Sequence, residues 1–303
     1  MIVIVCPGQG SQTPGFLTPW LQDAEARDLL AGYSEAAGVD LEKHGTESDA
    51  DTIRDTAVAQ PLIVAAGLLT LHALRRAGAL DTIGGIAGHS VGEITAAVGA
   101  GILTEDAAMR FVAARARYMA EAAGQASTGM SAVLGGDEAA LLERLAELGL
   151  EPANFNGGGQ IVVAGATDAL AELAAEPLRG TRVIPLQVAG AFHTRYMLAA
   201  RDALAADAAA LTPADPTLTL WSNHDGAVVT SGAEFVSSLV AQVSSPVRWD
   251  RCMESFQAAG LDGLVELAPA GALTGLAKRG LKGVASVAIK TPDDLQAALE
   301  LVS

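Results

Sequence analysis

The chain has 303 residues, half of them hydrophobic, and a formal net charge of −16. A chain of this length can bury a sizeable core and has room for about two domains. The strong negative charge argues against nucleic acid or an anionic membrane as the main partner. The two cysteines, Cys6 and Cys252, form no Cys-x-x-Cys pair, which argues against zinc, redox chemistry and a disulfide scaffold. We therefore expect neither a metal nor a cofactor.

The N-terminal apolar run at residues 2–6 is too short for a secretion signal and has no basic flank. The longest apolar helical stretch, residues 61–74, contains His72 and is shorter than a membrane span. We therefore expect a cytoplasmic protein with no membrane partner.

Predicted strands and helices alternate from the N-terminus, which favours a parallel sheet covered by helices. The elements predicted before residue 124 are a strand at 2–6, a helix at 57–77, a strand at 83–86 and helices at 91–100 and 104–123. Thr104 stands at the start of the last of these helices and is predicted to be its N-cap.

A different order of elements follows the small-residue linker at residues 124–129. The elements predicted there are a strand at 130–134, a helix at 138–148, strands at 153–156 and 161–164, a helix at 168–175 and a strand at 182–188. This β-α-β-β-α-β order is typical of a ferredoxin-like unit. We therefore predict a small subdomain, residues 129–192, inserted into a large subdomain formed by residues 1–128 and 193–303.

The remainder of the chain returns to the pattern of the large subdomain. The elements predicted there are a helix at 194–210, a strand at 217–222, helices at 233–243 and 250–259, a strand at 263–267 and a final helix at 271–279. The predicted fold class is therefore α/β.

Residues 88–92 read Gly-His-Ser-Val-Gly and stand between a predicted strand and a predicted helix. In this setting the motif predicts a nucleophile elbow, because the glycines permit a sharp turn that exposes the Ser90 hydroxyl. The following helix would direct free N–H groups and its positive dipole end at an oxyanion formed on an acyl group. Acyl transfer through Ser90 is therefore the leading hypothesis.

A second glycine-rich segment, residues 8–13, imitates a dinucleotide-binding fingerprint. Thr13 stands where the third glycine should be, and no acidic residue ends a second strand about 20 residues further on, so a cofactor role is not expected. Such a loop can instead bring a second backbone N–H to the oxyanion, and Gln9 is the candidate donor.

A base for the nucleophile is sought among five histidines. His193 follows the last predicted strand of the small subdomain, where the chain re-enters the large one, and loops at such junctions line clefts. The others are His44 and His224 in predicted polar loops, His72 in an apolar helix and His89 on the elbow itself. His193 is therefore the preferred base, and the alternative is a surface or capping histidine.

Four stretches of the chain carry a family resemblance. They are Pro-Gly-Gln-Gly-Ser-Gln at residues 7–12, Gly-His-Ser-Val-Gly-Glu at 88–93, Gly-Ala-Phe-His at 190–193 and Gln-Val-Ser-Ser-Pro-Val-Arg-Trp at 242–249. Together, and in this order, they resemble the malonyl-CoA:acyl carrier protein transacylase family. Residues 55–61 and 290–295 are most similar to its actinobacterial form. The resemblance covers nearly the whole chain and implies an α/β-hydrolase-like large subdomain with a ferredoxin-like insert.

The resemblance also implies roles for individual residues. Ser90 is expected to be the nucleophile and His193 its base, with the backbone N–H groups of Gln9 and Val91 as the oxyanion hole. Arg115 matches the arginine that pairs with the free carboxylate of the malonyl group, since a guanidinium can bind a carboxylate bidentately. From the residues alone, Arg115 would be one of three solvated arginines on its helix.

Three further positions are expected to complete the site. Gln242 matches the residue whose carbonyl accepts a hydrogen bond from the histidine ring, and an amide there would orient the ring without stabilising imidazolium as an acid does. Phe192 is expected to narrow the substrate pocket against branched acyl groups, and His89 is placed beside the nucleophile. No triad acid is predicted.

The expected partners are malonyl-CoA and holo acyl carrier protein. Carrier proteins of this kind are acidic, so a local basic patch must offset the charge of the chain, and Lys278, Arg279 and Lys282 form the densest late cluster. A solvated helix end is an equally good interpretation of this cluster. Two other functions stay open at this point, namely a serine thioesterase or hydrolase and a non-catalytic carrier-binding module.

Overall fold

Two five-stranded sheets organise the chain in a computed structural model, which describes residues 1–302. The strands are β1 (Ile2–Cys6), β2 (Ile83–Gly88), β3 (Thr128–Gly135), β4 (Glu151–Gly157), β5 (Gln160–Ala166), β6 (Thr181–Pro185), β7 (Leu220–Trp221), β8 (Val247–Arg248), β9 (Gly263–Glu266) and β10 (Ala285–Ala288). The helices are α1 (Ala24–Ala37), α2 (Leu41–Thr46), α3 (Thr56–Arg76), α4 (Gly92–Gly99), α5 (Glu105–Ala123), α6 (Glu138–Leu148), α7 (Thr167–Ala175), α8 (Leu198–Ala208), α9 (Gly232–Gln242), α10 (Trp249–Ala258), α11 (Ala272–Gly280) and α12 (Leu295–Val302).

The first sheet has the order β10-β9-β1-β2-β7, and all its strands are parallel. Its central strand β1 is apolar and almost entirely buried, as expected for a parallel strand covered on both faces. The carboxyl ends of β1 and β2 lie side by side, with Cys6 opposite Gly88. This register brings the glycine-rich loop after β1 next to the elbow after β2.

The second sheet has the order β6-β3-β5-β4-β8. Its first four strands are antiparallel and, with α6 and α7, have the order predicted for a ferredoxin-like unit. The fifth strand, β8, comes from much later in the chain and pairs in parallel with β4. Backbone hydrogen bonding therefore ties the inserted unit to the part of the chain that follows it. The α/β prediction with a parallel sheet and a ferredoxin-like insert is confirmed.

Helix α3 is long and apolar enough to cross a membrane by length and composition. The expectation that this apolar stretch is too short was wrong, because the helix begins at Thr56, where Asp55 caps it, and continues through Pro61 to Arg76. Burial distinguishes the two cases, since 78% of its most apolar window lies inside the protein, packed against α4 and α5. Helix α3 therefore has the burial of a core helix.

Several predicted boundaries were also wrong. A strand and a helix, β10 and α12, follow the helix that was expected to be final. Helices α1 and α2 were not predicted, and His44 lies on α2 instead of in a loop. The predicted helix at 194–210 starts only at Leu198, after a 3-10 turn, and the predicted strand at 217–222 is two residues long. Thr104 does cap α5, accepting from the N–H of Ala107 at 3.2 Å.

Candidate active site

Ser90 lies on the turn between β2 and α4 with φ at +52°, in the left-handed region that non-glycine residues rarely adopt. The flanking glycines have no room for a side chain, because a Cβ on Gly88 would collide with the backbone of Glu93 and one on Gly92 with the Cys6 carbonyl. Strained residues held in this way cluster at functional sites. The turn therefore has the geometry of the predicted elbow and holds the Ser90 hydroxyl at the carboxyl end of β2.

His193 meets this hydroxyl from the loop that follows β6. Its Nε2 lies 2.8 Å from Ser90 Oγ, and its own φ is +63°. The loop is fixed by the His193 N–H, which donates to the Val243 carbonyl, and by the Thr194 hydroxyl, which donates to the Ala191 carbonyl at 2.6 Å. Both partners of the Ser90–His193 pair are thus held in unusual backbone conformations by their surroundings.

The other ring nitrogen of His193, Nδ1, donates to the main-chain carbonyl of Gln242 at 2.8 Å. This bond leaves Nε2 as the acceptor for the Ser90 hydroxyl. The acceptor is the main-chain oxygen and not the side-chain amide, which corrects the expectation that an amide group orients the ring. Among residues 1–302, no carboxylate hydrogen-bonds to the ring of His193.

The His193 ring is buried, with only 4% of the residue exposed. Burial, together with the positive charge of Arg115, lowers the pKa of His193 to about 3. The imidazole is therefore unprotonated at neutral pH and available to accept a proton from Ser90.

Arg115 is 1% exposed, on the inner face of α5. Its Nη1 donates to Gln60 Oε1 at 2.6 Å, and its Nη2 donates to Gln242 Oε1 at 2.8 Å and faces Ser90 Oγ at 3.3 Å. Burial lowers the pKa of Arg115 to about 10, so the group stays cationic at neutral pH. The interpretation of Arg115 as a solvated arginine is wrong, although its helix neighbours Arg110 and Arg117 are exposed.

Two backbone N–H groups face the same space. Val91 is buried at the start of α4, and Gln9 lies in the loop after β1. Within the part of the chain that the structure describes, neither N–H donates to a protein acceptor. The side chain of Gln9 turns to the Arg54 carbonyl, so only its main chain is available as a donor in the site. Unpaired N–H groups beside a nucleophile are the arrangement of an oxyanion hole.

A cavity of about 380 Å³ opens above Ser90 and His193. Strands β3, β4 and β5 of the second sheet line it on one side, and the loops after β1 and β2 line it on the other. Phe192, in the loop before His193, also lines it and is 6% exposed. His89 lies in its wall and bonds through Nε2 to Asn156 Oδ1 of β4 at 2.9 Å. Loss of hydration lowers the pKa of His89, so this ring is also neutral. The cavity therefore lies between the parallel sheet and the ferredoxin-like unit, where a ligand would contact both.

The basic residues Lys278, Arg279 and Lys282 are exposed at the end of α11. Of the three, Arg279 also lines the cavity. The other two are exposed and do not line it.

Some residues of the site were given no role from the sequence. Asn156 contacts His89 and belongs to no motif, and Gln60 contacts Arg115 and lies in the family-like stretch 55–61, which indicated no role for it. Glu93 follows the elbow glycine directly, yet nothing in its spacing indicates that its carboxylate is 1% exposed behind Ser90.

Comparison with known proteins agrees with this geometry. The family described as "Acyl transferase domain" matches residues 3–293. The malonyl CoA-acyl carrier protein transacylase of Mycobacterium tuberculosis (strain ATCC 25618 / H37Rv) is 51% identical over 97% of this chain and 98% of that protein.

Solved structures give the same result. The crystal structure of MCAT from Mycobacterium tuberculosis matches with a TM-score of 0.96 and 50% identity, covering 100% of both chains. The structure of PlMCAT with holo AntF, a type II PKS acyl-carrier protein in complex with its malonyl-transacylase, matches with a TM-score of 0.93 and 29% identity over 99% of both chains. The chain therefore belongs to the acyl transferase domain family, as a member of its malonyl CoA-acyl carrier protein transacylase branch.

Proposed function

We propose that this chain transfers the malonyl group of malonyl-CoA to the phosphopantetheine thiol of holo acyl carrier protein, through a malonyl ester on Ser90. The observation that carries the proposal is the position of Ser90 Oγ, 2.8 Å from a neutral imidazole and 3.3 Å from a buried guanidinium. The names of the relatives support the substrate and the carrier, and the AntF complex, whose carrier is a type II PKS acyl-carrier protein, supports a carrier of polyketide synthesis. A carrier of fatty-acid synthesis is proposed beside it. The proposed compartment is the cytoplasm.

In the first half-reaction, His193 Nε2 takes the proton of Ser90 as Oγ forms a bond to the thioester carbon. The carbonyl oxygen becomes an oxyanion, and the N–H groups of Gln9 and Val91 stabilise it. The C–S bond then breaks, and the thiolate of CoA leaves with the proton from His193. The Gln242 carbonyl keeps the ring in the orientation that both proton transfers require.

Arg115 selects the acyl group in this proposal. A malonyl ester on Ser90 carries a free carboxylate close to the ester carbon, and the buried guanidinium lies within reach of it. A bidentate pair with this carboxylate, formed where water is excluded, favours malonyl over acetyl groups. Phe192 adds a smaller selection against branched acyl groups, because one methyl group is worth only about 1–3 kcal/mol in an apolar pocket.

The second half-reaction reverses the first. The phosphopantetheine thiol gives its proton to His193 and attacks the malonyl ester, the C–O bond breaks, and Ser90 recovers the proton. The carrier must approach the cavity between the two subdomains, which we assign as residues 1–128 with 193–303 and residues 129–192. The exposed cations at Lys278, Arg279 and Lys282 support docking of an acidic carrier at this mouth.

Mass spectrometry of the intact chain after incubation with malonyl-CoA tests the proposal. A stable malonyl adduct that holo carrier protein removes is the expected result. Release of free malonate with no transfer would instead identify a hydrolase, and an unchanged mass would identify a binding protein without catalysis.

A further inference from the structure

The side-chain amide of Gln242 has a single orientation that its partners impose. Its Nε2 donates to Glu93 Oε2 at 2.7 Å and to the Ser90 carbonyl at 3.2 Å, while its Oε1 accepts from Arg115 Nη2 at 2.8 Å. A flipped amide would turn its NH₂ group to the guanidinium, which has only donors. The orientation of Gln242 therefore depends on the acceptors around Nε2, which are Glu93 Oε2, the Ser90 carbonyl and, at 3.2 Å, Asn223 Oδ1. Glu93 makes the shortest of these three contacts and is the one carboxylate among them.

Glu93 is itself fixed in place. It is the second residue of α4 and is 1% exposed. Its Oε1 accepts from the Asn223 N–H at 2.6 Å and its Oε2 from Gln242, so both carboxylate oxygens face N–H donors. Burial raises the pKa of Glu93, and these donors and the nearby Arg115 oppose the rise because they stabilise the ionised form. Two N–H donors on two oxygens match the ionised carboxylate.

Arg115 makes no ion pair with any acidic group in residues 1–302, and its direct partners are the neutral oxygens of Gln60, Gln242 and Ser90. A carboxylate placed directly on the guanidinium would occupy the donors that a substrate carboxylate needs. A carboxylate one amide group away still offsets part of the cost of burying the cation. Glu93 lies one amide group away from Arg115 in this way. The attraction between the two groups raises the pKa of Arg115 and lowers that of Glu93.

We propose that Glu93 is a positioning residue for acyl-group selection, which acts through the Gln242 amide to orient the Arg115 guanidinium while leaving its donors free for a substrate carboxylate. This inference rests on the proposed malonyl transfer. In this arrangement, the selection of the acyl group and the proton transfer depend on different parts of Gln242. The side-chain amide orients Arg115, whereas the main-chain carbonyl orients the ring of His193.

Glu93→Gln tests the proposal with almost no change in volume. With its NH₂ group against Gln242 Nε2, the new amide loses the bond to Gln242; with its NH₂ group against the Asn223 N–H, it keeps that bond but without the charge. The support of the Gln242–Arg115 contact is weakened in both orientations. We expect malonyl kcat/KM to fall about 10- to 100-fold, mainly through a higher KM for malonyl-CoA, since charge-assisted hydrogen bonds have this size. The slow transfer of acetyl groups should change by less than about threefold, because an acetyl group has no carboxylate to bind.

The exchange Glu93→Gln with Gln242→Glu keeps the net charge and one hydrogen bond between the two positions. It moves the negative charge onto Arg115, where it competes directly with the substrate carboxylate. We expect this variant to fold, with a melting temperature close to that of Glu93→Gln, and to lose more malonyl transfer than either single variant.

Glu266→Gln is the matched control. Glu266 is also fully buried, and its two oxygens accept the N–H groups of Leu273 and Thr274 at the start of α11, with no hydrogen bond to Gln242 or Arg115. This variant should lower the melting temperature without changing the ratio of malonyl to acetyl kcat/KM.

If Glu93→Gln lowers kcat/KM equally for malonyl and acetyl transfer, or changes only kcat, Glu93 has a structural role and the inference is wrong. Failure of the wild-type chain to form a malonyl adduct would reject the proposed function itself, so the two failures are distinguishable.

Discussion

The two halves of the site are built differently. Ser90 and His193 lie on short loops at the ends of strands and helices, and each has a positive φ. The carboxylate-binding half has the opposite construction, because its polar side chains project from the interiors and ends of helices α3, α4, α5 and α9. The reacting atoms are thus held by backbone strain, and the selecting cation is held by buried side-chain hydrogen bonds. Substitutions in the first half should stop the chemistry, and those in the second should change which acyl group is accepted.

Ser90→Ala should have the largest effect. The variant should form no malonyl adduct and transfer nothing, because no other group in the site replaces Oγ as nucleophile. Removal of one hydroxyl leaves little cavity, so the melting temperature should stay within a few degrees of the wild type. Intact mass and transfer assays measure both, and an adduct formed by this variant at the wild-type rate would reject the mechanism.

His193→Ala should slow acylation by about 10²-fold or more, in line with the loss of a positioned base. Malonyl and acetyl transfer should fall by the same factor, since the base acts on Ser90 and not on the acyl group. Rapid-quench measurement of the acylation rate for both substrates gives this comparison. A selective loss of malonyl transfer would contradict the division of the site into two halves.

Gln242→Ala should have a smaller and different effect. The main-chain carbonyl that orients His193 stays in place, whereas Arg115 loses one acceptor. We expect a roughly 10- to 100-fold loss of malonyl kcat/KM, at least as large as that of Glu93→Gln because Glu93 acts through this amide, carried by KM and with acetyl transfer little changed. Steady-state kinetics with both substrates checks this, and a loss larger than that of His193→Ala would show that the roles are reversed.

The smallest effect concerns stability. Burial lowers the pKa of His193 to about 3 in the folded chain, so between pH 6.5 and 3 the unfolded chain binds the proton and the folded chain does not. The contribution of His193 to the free energy of unfolding is therefore present above pH 6.5 and is lost as the pH falls. When the pH falls from 6 to 5, the free energy of unfolding of His193→Ala should decrease by about 1 kcal/mol less than that of the wild type. Denaturant titrations at the two pH values measure this, and equal losses would mean that His193 is solvated.

The difference between the two halves of the site also explains which features could be predicted from the sequence. The elbow was predictable because Gly88 and Gly92 are the residues that a turn of this tightness requires. The ferredoxin-like unit was predictable because its six elements follow the order β-α-β-β-α-β along the sequence. Strand β10 was missed, since its four residues Ala-Ser-Val-Ala carry too little apolar pattern to be recognised.

The residues of the carboxylate-binding half were much harder to predict from the sequence. Arg115 was assigned through the family resemblance, because a buried arginine and a solvated one look alike on an amphipathic helix. Glu93 and Gln60 gained their meaning only when folding brought helices from distant parts of the chain together. Local signals can identify a strained turn, whereas a buried hydrogen-bond network depends on tertiary contacts that no spacing encodes.

The ratio of malonyl to acetyl kcat/KM in Arg115→Ala and Arg115→Lys tests most directly whether this buried cation selects the acyl group. A substrate carboxylate left unpaired in a closed pocket costs about 2–5 kcal/mol, so Arg115→Ala should lose malonyl transfer by orders of magnitude and keep or gain acetyl transfer. Arg115→Lys should recover only part of the ratio, because an ammonium group cannot form the bidentate pair. An unchanged ratio in Arg115→Ala would contradict the assignment and remove the strongest structural reason for a malonyl substrate.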